Sequence, residues 1–179
     1  GVYFIQVPAG TTLIIRMSRI HATLLIELGS NSTFKLENSC LWDPPAGRNY
    51  PAMIVKSDWT ANVILNSSNA ALKEGTPSPK VNFNPSGEPY DGVADSDQND
   101  QYTALCRGVY HVIGANVHTL MSTNININGV VVAEGTASLG ANVNVTVDPS
   151  IFANPPYGYV APNSDMEAVT GTWRWEAAQ

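Results

Sequence analysis

Short apolar runs that recur about every ten residues constrain the fold of this chain more than any other feature. In the first half they are three to six residues long and centre near positions 4, 14, 25, 35, 54 and 64. A second set begins near position 109 and continues to position 147. No run keeps the i, i+3, i+4, i+7 spacing of an amphipathic helix. The sequence therefore predicts an all-β chain of many short strands.

Two architectures place many short strands at this spacing. In a right-handed parallel β-helix, or β-solenoid, each coil adds strands to stacked parallel sheets. An antiparallel β-sandwich or jelly roll instead relies on tight hairpin turns, and Asn128-Gly129 matches such a turn. Most other connections are longer, and the 17 Asn residues suit coil corners with left-handed backbone. We expect a single β-solenoid domain over residues 1–179, with the sandwich as the alternative.

Two segments interrupt the strand pattern. Residues 76–102, called the excursion below, contain four prolines and few aliphatic residues. A loop of this length in a compact domain is usually functional, or is held by something such as an ion. Residues 148–179 form a second irregular segment at the C-terminus. Only residues 69–75 have the signature of a short helix, with Asn69 as the N-cap and Gly75 as the stop.

The charge of the chain excludes some partners. The net charge is −6, and only 9 residues are Lys or Arg. Because phosphate binding requires clustered basic residues, we expect neither nucleic acid nor an anionic membrane surface as a partner. No apolar run is long enough for a transmembrane helix, so we expect no membrane-spanning segment in this chain.

The acidic residues of the excursion are a candidate cation site. Asp95, Asp97 and Asn99 occupy positions 1, 3 and 5 of a calcium-loop pattern, but the Gly and Glu that an EF-hand requires at positions 6 and 12 are missing. An irregular calcium site stays open. Its candidate ligands are Asp91, Asp95, Asp97, Asn99 and Asp100. The alternative is a solvated loop whose Asp and Asn side chains cap turns.

The chain has two cysteines, Cys40 and Cys106. Two cysteines are too few for a disulfide-rich scaffold, and no C-x-x-C motif is present. In an exported protein the two form a candidate disulfide. The alternative is a pair of buried free thiols.

Aromatic residues are concentrated near the C-terminus. Tyr157 and Tyr159 lie in a Pro- and Gly-rich loop, and Trp173 and Trp175 fall on one face of a predicted strand. Exposed aromatic residues indicate binding surfaces, so these four form a candidate glycan platform. The alternative is that the Trp pair caps an open end of the solenoid.

The sequence carries no recognisable catalytic constellation. It lacks G-x-S-x-G, H-E-x-x-H and glycine-rich phosphate loops. Glycoside hydrolysis requires two positioned carboxylates, and the clustered carboxylates lie only in the polar excursion. We therefore do not expect an enzyme and assign no catalytic residues.

Several short motifs occur along the chain in a consistent order. They lie at residues 3–20, 49–55, 82–85, 89–90, 95–97, 102, 148–150, 154–159 and 171–174. In this order they resemble a β-helix-like module of bacterial, planctomycete-type exported surface and pilus-assembly-type proteins of poorly known function. The resemblance covers nearly the whole chain. It implies a right-handed parallel β-helix at an extracellular or cell-surface location, and it supplies no catalytic residues.

Three function classes remain open. The first is a structural surface module, either a filament subunit or part of a larger exported protein, whose partners are copies of itself or other surface proteins. The second is a glycan-binding adhesin, and the third is a small carbohydrate-active enzyme. Calcium is the one cofactor that the sequence suggests. The first class is our expectation, because the many short strands occur without a catalytic constellation.

Overall fold

The computed structural model describes residues 1–47, 49–90, 93–122 and 124–159. Within these residues the chain forms thirteen strands and one helix. The strands are β1 (Val2–Val7), β2 (Thr12–His21), β3 (Thr23–Leu28), β4 (Thr33–Asp43), β5 (Met53–Lys56), β6 (Ala61–Ser67), β7 (Leu72–Lys73), β8 (Gln101–Tyr102), β9 (Leu105–Ile113), β10 (Val117–Met121), β11 (Asn126–Ala133), β12 (Thr136–Leu139) and β13 (Asn144–Thr146). The helix is α1 (Pro149–Ala153).

Eleven strands form one sheet in which the paired strands run parallel, and β7 and β8 form a separate antiparallel pair. The predicted all-β class is therefore confirmed. Strands of the first half also pair with strands of the second half, since Met53 pairs with Tyr110 and Ala61 with Val117. The alternative of an antiparallel β-sandwich or jelly roll is wrong for this sheet.

The parallel pairs build three ladders, and the chain visits them in the same order on each circuit. Ladder A contains β1, β3, β5 and the ends of β9 and β11. Ladder B contains the start of β2, the start of β4, β6, β10 and β12. Ladder C contains the end of β2, the end of β4, the starts of β9 and β11, and β13. This arrangement is compatible with a β-helix.

The main core lies between the ladders and is filled by alternate residues of each strand. In β3 the buried positions are Leu24, Ile26 and Leu28, while Leu25 and Glu27 are partly exposed. Trp42 is fully buried at the centre, where its ring meets Tyr110 edge-to-face at 5.4 Å and its Nε1 donates to the carbonyl of Ala22. The period-two pattern of the apolar runs therefore selects the inward face.

Left-handed corners turn the chain from one ladder to the next. Asn31, Asn38, Asn124 and Asn142 have φ between 55° and 65°. Asn tolerates this region better than most residues because its short polar side chain bonds locally to the backbone. Four of the 17 Asn residues thus occupy left-handed corners, as expected.

Two local expectations are wrong. Asn128 and Gly129 do not form a hairpin turn but lie inside β11, where they pair with Arg107 and Gly108. Residues 69–75 do not form a helix, because Leu72 and Lys73 pair with the end of the excursion as β7. The helix that does form is α1, where the Asp148 side chain accepts the amide of Ser150 as N-cap.

Candidate functional site

One end of the sheet, formed by β1 and β2 and called the N-terminal edge below, has no strand paired on its outer side in the described part of the chain. Its inward side chains are consequently less buried than their ladder neighbours. Ile5 is partly exposed, whereas its partner Ile26 is 2% exposed. Ile20 is also partly exposed, whereas its partner Trp42 is fully buried.

A concave pocket of about 840 Å³ opens at this edge. One wall is the inner side of the first circuit, including Ile5, Ile15 and Ile20. The opposite wall is the start of the excursion, including Val81, Phe83 and Pro85. Two further side chains of β1, Tyr3 and Phe4, are 59% and 64% exposed. The pocket is therefore largely apolar and open to solvent.

Polar groups at the rim hold the excursion in place. The Arg19 guanidinium donates to the carbonyls of Phe83 and Glu88, and it lies 5.6 Å from the Tyr90 ring centroid. His21 accepts the amide of Ala46 at Nε2, and its Nδ1 lies 3.6 Å from the Glu88 carboxylate. These contacts fix the position of the pocket wall, so the groups have a structural role. The chemistry that the pocket offers is burial of apolar side chains beside an unpaired strand edge.

The excursion is ordered by a second apolar cluster on the outer face of ladder C. Leu41, Leu72, Phe83 and Tyr102 are buried in it, with Met17, Tyr90 and Leu105 packed around them. Tyr90 and Tyr102 meet edge-to-face at 5.0 Å. The aromatic residues of the excursion therefore bury part of the outer face of the ladder, although the sequence shows few aliphatic residues in this segment.

A buried carboxylate completes the order of the excursion. Glu74 is fully buried and accepts the amides of Phe83 at 2.6 Å and Asp100 at 3.2 Å. The Tyr102 hydroxyl lies 3.2 Å from Glu74 and 3.0 Å from Asp100. Burial, together with hydrogen bonds and charge from these two carboxylates, raises the pKa of Tyr102 above its ordinary range. The hydroxyl therefore stays protonated and bridges Glu74 and Asp100.

The candidate calcium ligands take part in local turns. Asp97 accepts the amide of Asn99 at 2.9 Å, and Asp95 accepts the side-chain amide of Asn84 at 3.4 Å. Among the described residues no three His, Cys, Asp or Glu side chains converge as a metal site requires. Asp91 lies outside the described residues. Calcium binding stays a prediction.

Asp95 and Asp100 lie close enough to influence each other's charge. Desolvation raises the pKa of Asp95, and a hydrogen bond to Asp100 and the negative charge of that carboxylate raise it further. The negative charge of Asp97 acts in the same direction. Protonation of Asp95 removes its negative charge and relieves this repulsion, so the stability of the excursion depends on pH.

Both cysteines are buried free thiols in the structure. Cys106 pairs directly with Trp42, so Cys40 lies two positions away from the direct partner of Cys106. Such diagonal neighbours lie roughly 7–8 Å apart, whereas the Cα atoms of a disulfide lie about 4.4–6.8 Å apart. The predicted disulfide is not formed here, and its formation would require the two strands to shift.

The candidate glycan platform is not assembled by the described residues. Tyr157 is 84% exposed. Tyr159 packs against His111, with its hydroxyl 2.7 Å from His111 Nδ1, so its ring is only partly available. Trp173 and Trp175 lie outside the described residues. A further exposed aromatic residue, Trp59, lies beside a small groove and was not singled out by the sequence analysis.

The pocket at the N-terminal edge could not be identified from local sequence patterns. Its residues come from the first circuit and from the excursion, about 60 positions later in the chain. The one local signal was that apolar residues occupy both faces of β1, whereas an ordinary edge strand has one polar face.

No protein-family model, curated protein or solved structure matches this chain. Helices of the length and hydrophobicity needed to cross a membrane are also absent from the described residues.

Proposed function

We propose that this chain is a non-enzymatic structural module of an exported protein, located outside the cell or at its surface. It acts as a filament subunit or as part of a larger surface protein. The fold we assign to it is a right-handed parallel β-helix over one domain, with the excursion at residues 76–102 as a side insertion. The three ladders support this assignment, because the chain returns to each ladder once per circuit.

The observation that carries the functional proposal is the N-terminal edge, on whose outer side no described strand pairs. A free parallel strand edge presents backbone N–H and C=O groups to any strand that can pair with them. Here the edge adjoins the apolar pocket, so an added layer of strands would bury Ile5, Ile15 and Ile20 as it pairs. An edge of this composition supports a module that stacks on other β-layers.

Negative-stain microscopy of the concentrated protein tests the proposal. We expect elongated particles longer than one module. Ile15→Asp places a charge on the stacking surface and should shorten the particles, whereas Ile64→Asp, on the outward face in the middle of ladder B, is the matched control. Circular dichroism melting checks that both variants fold. The proposal would be contradicted if the protein stayed a single module at every concentration and also bound no other surface protein of its organism.

Glycan binding is the second candidate, supported by two exposed aromatic side chains. Tyr157 is 84% exposed, and Trp59 is 60% exposed beside the Asp58 carboxylate and the corner that includes Gly29. Aromatic faces next to hydrogen-bonding groups suit sugar rings. A glycan array distinguishes this function: specific binding that Trp59→Ala or Tyr157→Ala abolishes, with particles remaining single, would favour the adhesin.

A further inference from the structure

We propose that the partner at the N-terminal edge is the opposite end of a second copy, stacked head to tail. This inference rests on the proposed function and adds the identity and direction of the partner. The opposite end, called the C-terminal end below, consists of the end of β11, β12 and β13. These segments are the last described members of ladders A, B and C.

The two ends have matching strand order and direction. At the N-terminal edge the chain passes through β1 in ladder A, then the start and end of β2 in ladders B and C. At the C-terminal end it passes through the same ladders in the same order. Placing one end on the other therefore continues all three parallel ladders, without reversing any strand.

The existing register specifies which inward side chains would meet. In ladder B, Leu139 ends the inward row that begins with Ile15. In ladder C, Val145 ends the row that begins with Ile20. In ladder A, the corresponding residues are Ala133 and Ile5. Each of the three contacts would join two apolar side chains, so stacking buries them at the level of the interior rows.

Exposed apolar side chains support the same interface. Among the described residues, half of the large apolar side chains that are exposed lie on the terminal strands: Val2, Tyr3, Phe4 and Ile14 at one end, and Leu139 and Val145 at the other. Leu139 is 70% exposed although its row is buried further along. Exposed apolar surface at both ends of one module is what a repeating contact requires.

The outward side chains are compatible with this contact. Extending ladder A by one residue places Glu134 of one copy opposite Gln6 of the next. The Gln6 side-chain amide already lies 3.5 Å from the carboxylate of Glu27 on its other side. A head-to-tail contact is heterologous, so it leaves a free end after each addition and produces an open filament.

Cysteine cross-linking tests the direction of stacking. Thr12 and Thr136 begin and end one outward row of ladder B, and both are exposed. In a head-to-tail contact they become direct neighbours, roughly 4.8 Å apart, which is within disulfide range. We therefore expect Thr12→Cys protein mixed with Thr136→Cys protein to form a covalent dimer under mild oxidation.

Matched controls make the result specific. Asn62 lies in the middle of the same row, so Asn62→Cys mixed with Thr136→Cys should give no mixed dimer. The double variant Thr12→Cys/Thr136→Cys should give a series of covalent oligomers of increasing size on a non-reducing gel. The wild-type protein should give none, because its own thiols are buried.

The outcomes separate this inference from the proposed function. Elongated particles without the mixed dimer, or with Thr12→Cys joined only to itself, would overturn head-to-tail stacking and leave the structural module standing. A protein that stays single and forms no cross-link would overturn the inference, and it would also remove the filament form of the proposed function.

Discussion

Gly129 lies directly opposite Gly108 on neighbouring parallel strands, and a Cβ atom at Gly129 would be only 1.9 Å from the Gly108 carbonyl oxygen. Gly108 itself has a φ of 100°, a backbone conformation that side chains disfavour. The two circuits therefore approach each other at a point where neither strand accommodates a side chain. This contact joins the second half of the sheet to the strand that follows the excursion.

Gly129→Ala should destabilise the protein by about 3 kcal/mol, because the new methyl group has no space and β9 and β11 must separate. Gly87→Ala is the matched control. Gly87 has open space around it, so the change should be within about 0.5 kcal/mol. Urea unfolding followed by circular dichroism measures both. Equal stability of the two variants would contradict the close approach of the strands.

Glu74→Ala should release the excursion without unfolding the main sheet. It removes the acceptor of the Phe83 and Asp100 amides and a neighbour of the Tyr102 hydroxyl, at a cost of about 3 kcal/mol to local order. We expect rapid tryptic cleavage after Lys80, within the excursion. Asp58→Ala, whose side chain is 69% exposed and pairs with Lys56, is the control and should leave cleavage slow. Unchanged cleavage in Glu74→Ala would show that the apolar cluster suffices.

The order of the excursion should weaken as pH rises through the carboxyl range. The pKa of Asp95 is raised in the folded state, first by desolvation and then by Asp100. Its stabilising contribution is therefore present below the ordinary carboxyl pKa and is lost as pH rises through the folded-state pKa. Asp95→Asn should raise the melting temperature at neutral pH and have no effect at low pH. Asp58→Asn is the control, and an equal effect of Asp95→Asn at both pH values would contradict the mechanism.

Calcium should raise the melting temperature if the acidic residues bind it. Weak extracellular sites bind in the millimolar range, so an excess of calcium should add about 1–3 kcal/mol. Asp95→Ala combined with Asp97→Ala should abolish the increase, while magnesium at the same concentration controls for ionic strength. Absence of any shift at millimolar calcium would leave the solvated, turn-capping loop as the correct interpretation.

The two cysteines should be unreactive in the folded protein. Burial raises the pKa of Cys40 to about 11 and that of Cys106 to about 12. Because the folded pKa values lie above the unfolded value, the stabilisation is complete below about pH 9 and is lost as pH rises through about 11 for Cys40 and about 12 for Cys106. Alkylation at pH 8 should be slow until denaturant is added. A mass lower by two hydrogen atoms in the non-reduced protein would instead establish the predicted disulfide.

The local pattern was sufficient to predict the strands. The runs at Val2–Val7 and Met53–Val55 could be identified because inward positions must be apolar at every second residue, a requirement visible without any tertiary information. The corners were predictable for a related reason. Asn is a residue whose side chain stabilises left-handed backbone locally, so its abundance indicated the kind of turn.

The excursion was difficult to interpret because its stabilising partners are distant in sequence. Phe83 and Tyr102 look like isolated aromatic residues in a proline-rich loop, and only the fold places them against Leu41. Glu74 reads as an ordinary surface acid, yet it is buried by chain segments that arrive later. Burial of a polar group depends on which segments converge on it, so local composition predicted solvation where the structure has a second core.

The sequence by itself determined the all-β class, the position of most strands and the residue types at the corners, because each depends on neighbours within a few positions. Only the tertiary structure decided that the large sheet is parallel, that Asn128-Gly129 lies within a strand, and that an apolar pocket opens at the N-terminal edge. Strand direction and edge exposure depend on which distant segments pair. Strand pairing depends on burial and hydrogen bonding between segments that are far apart in the chain. A short window of sequence does not include both partners.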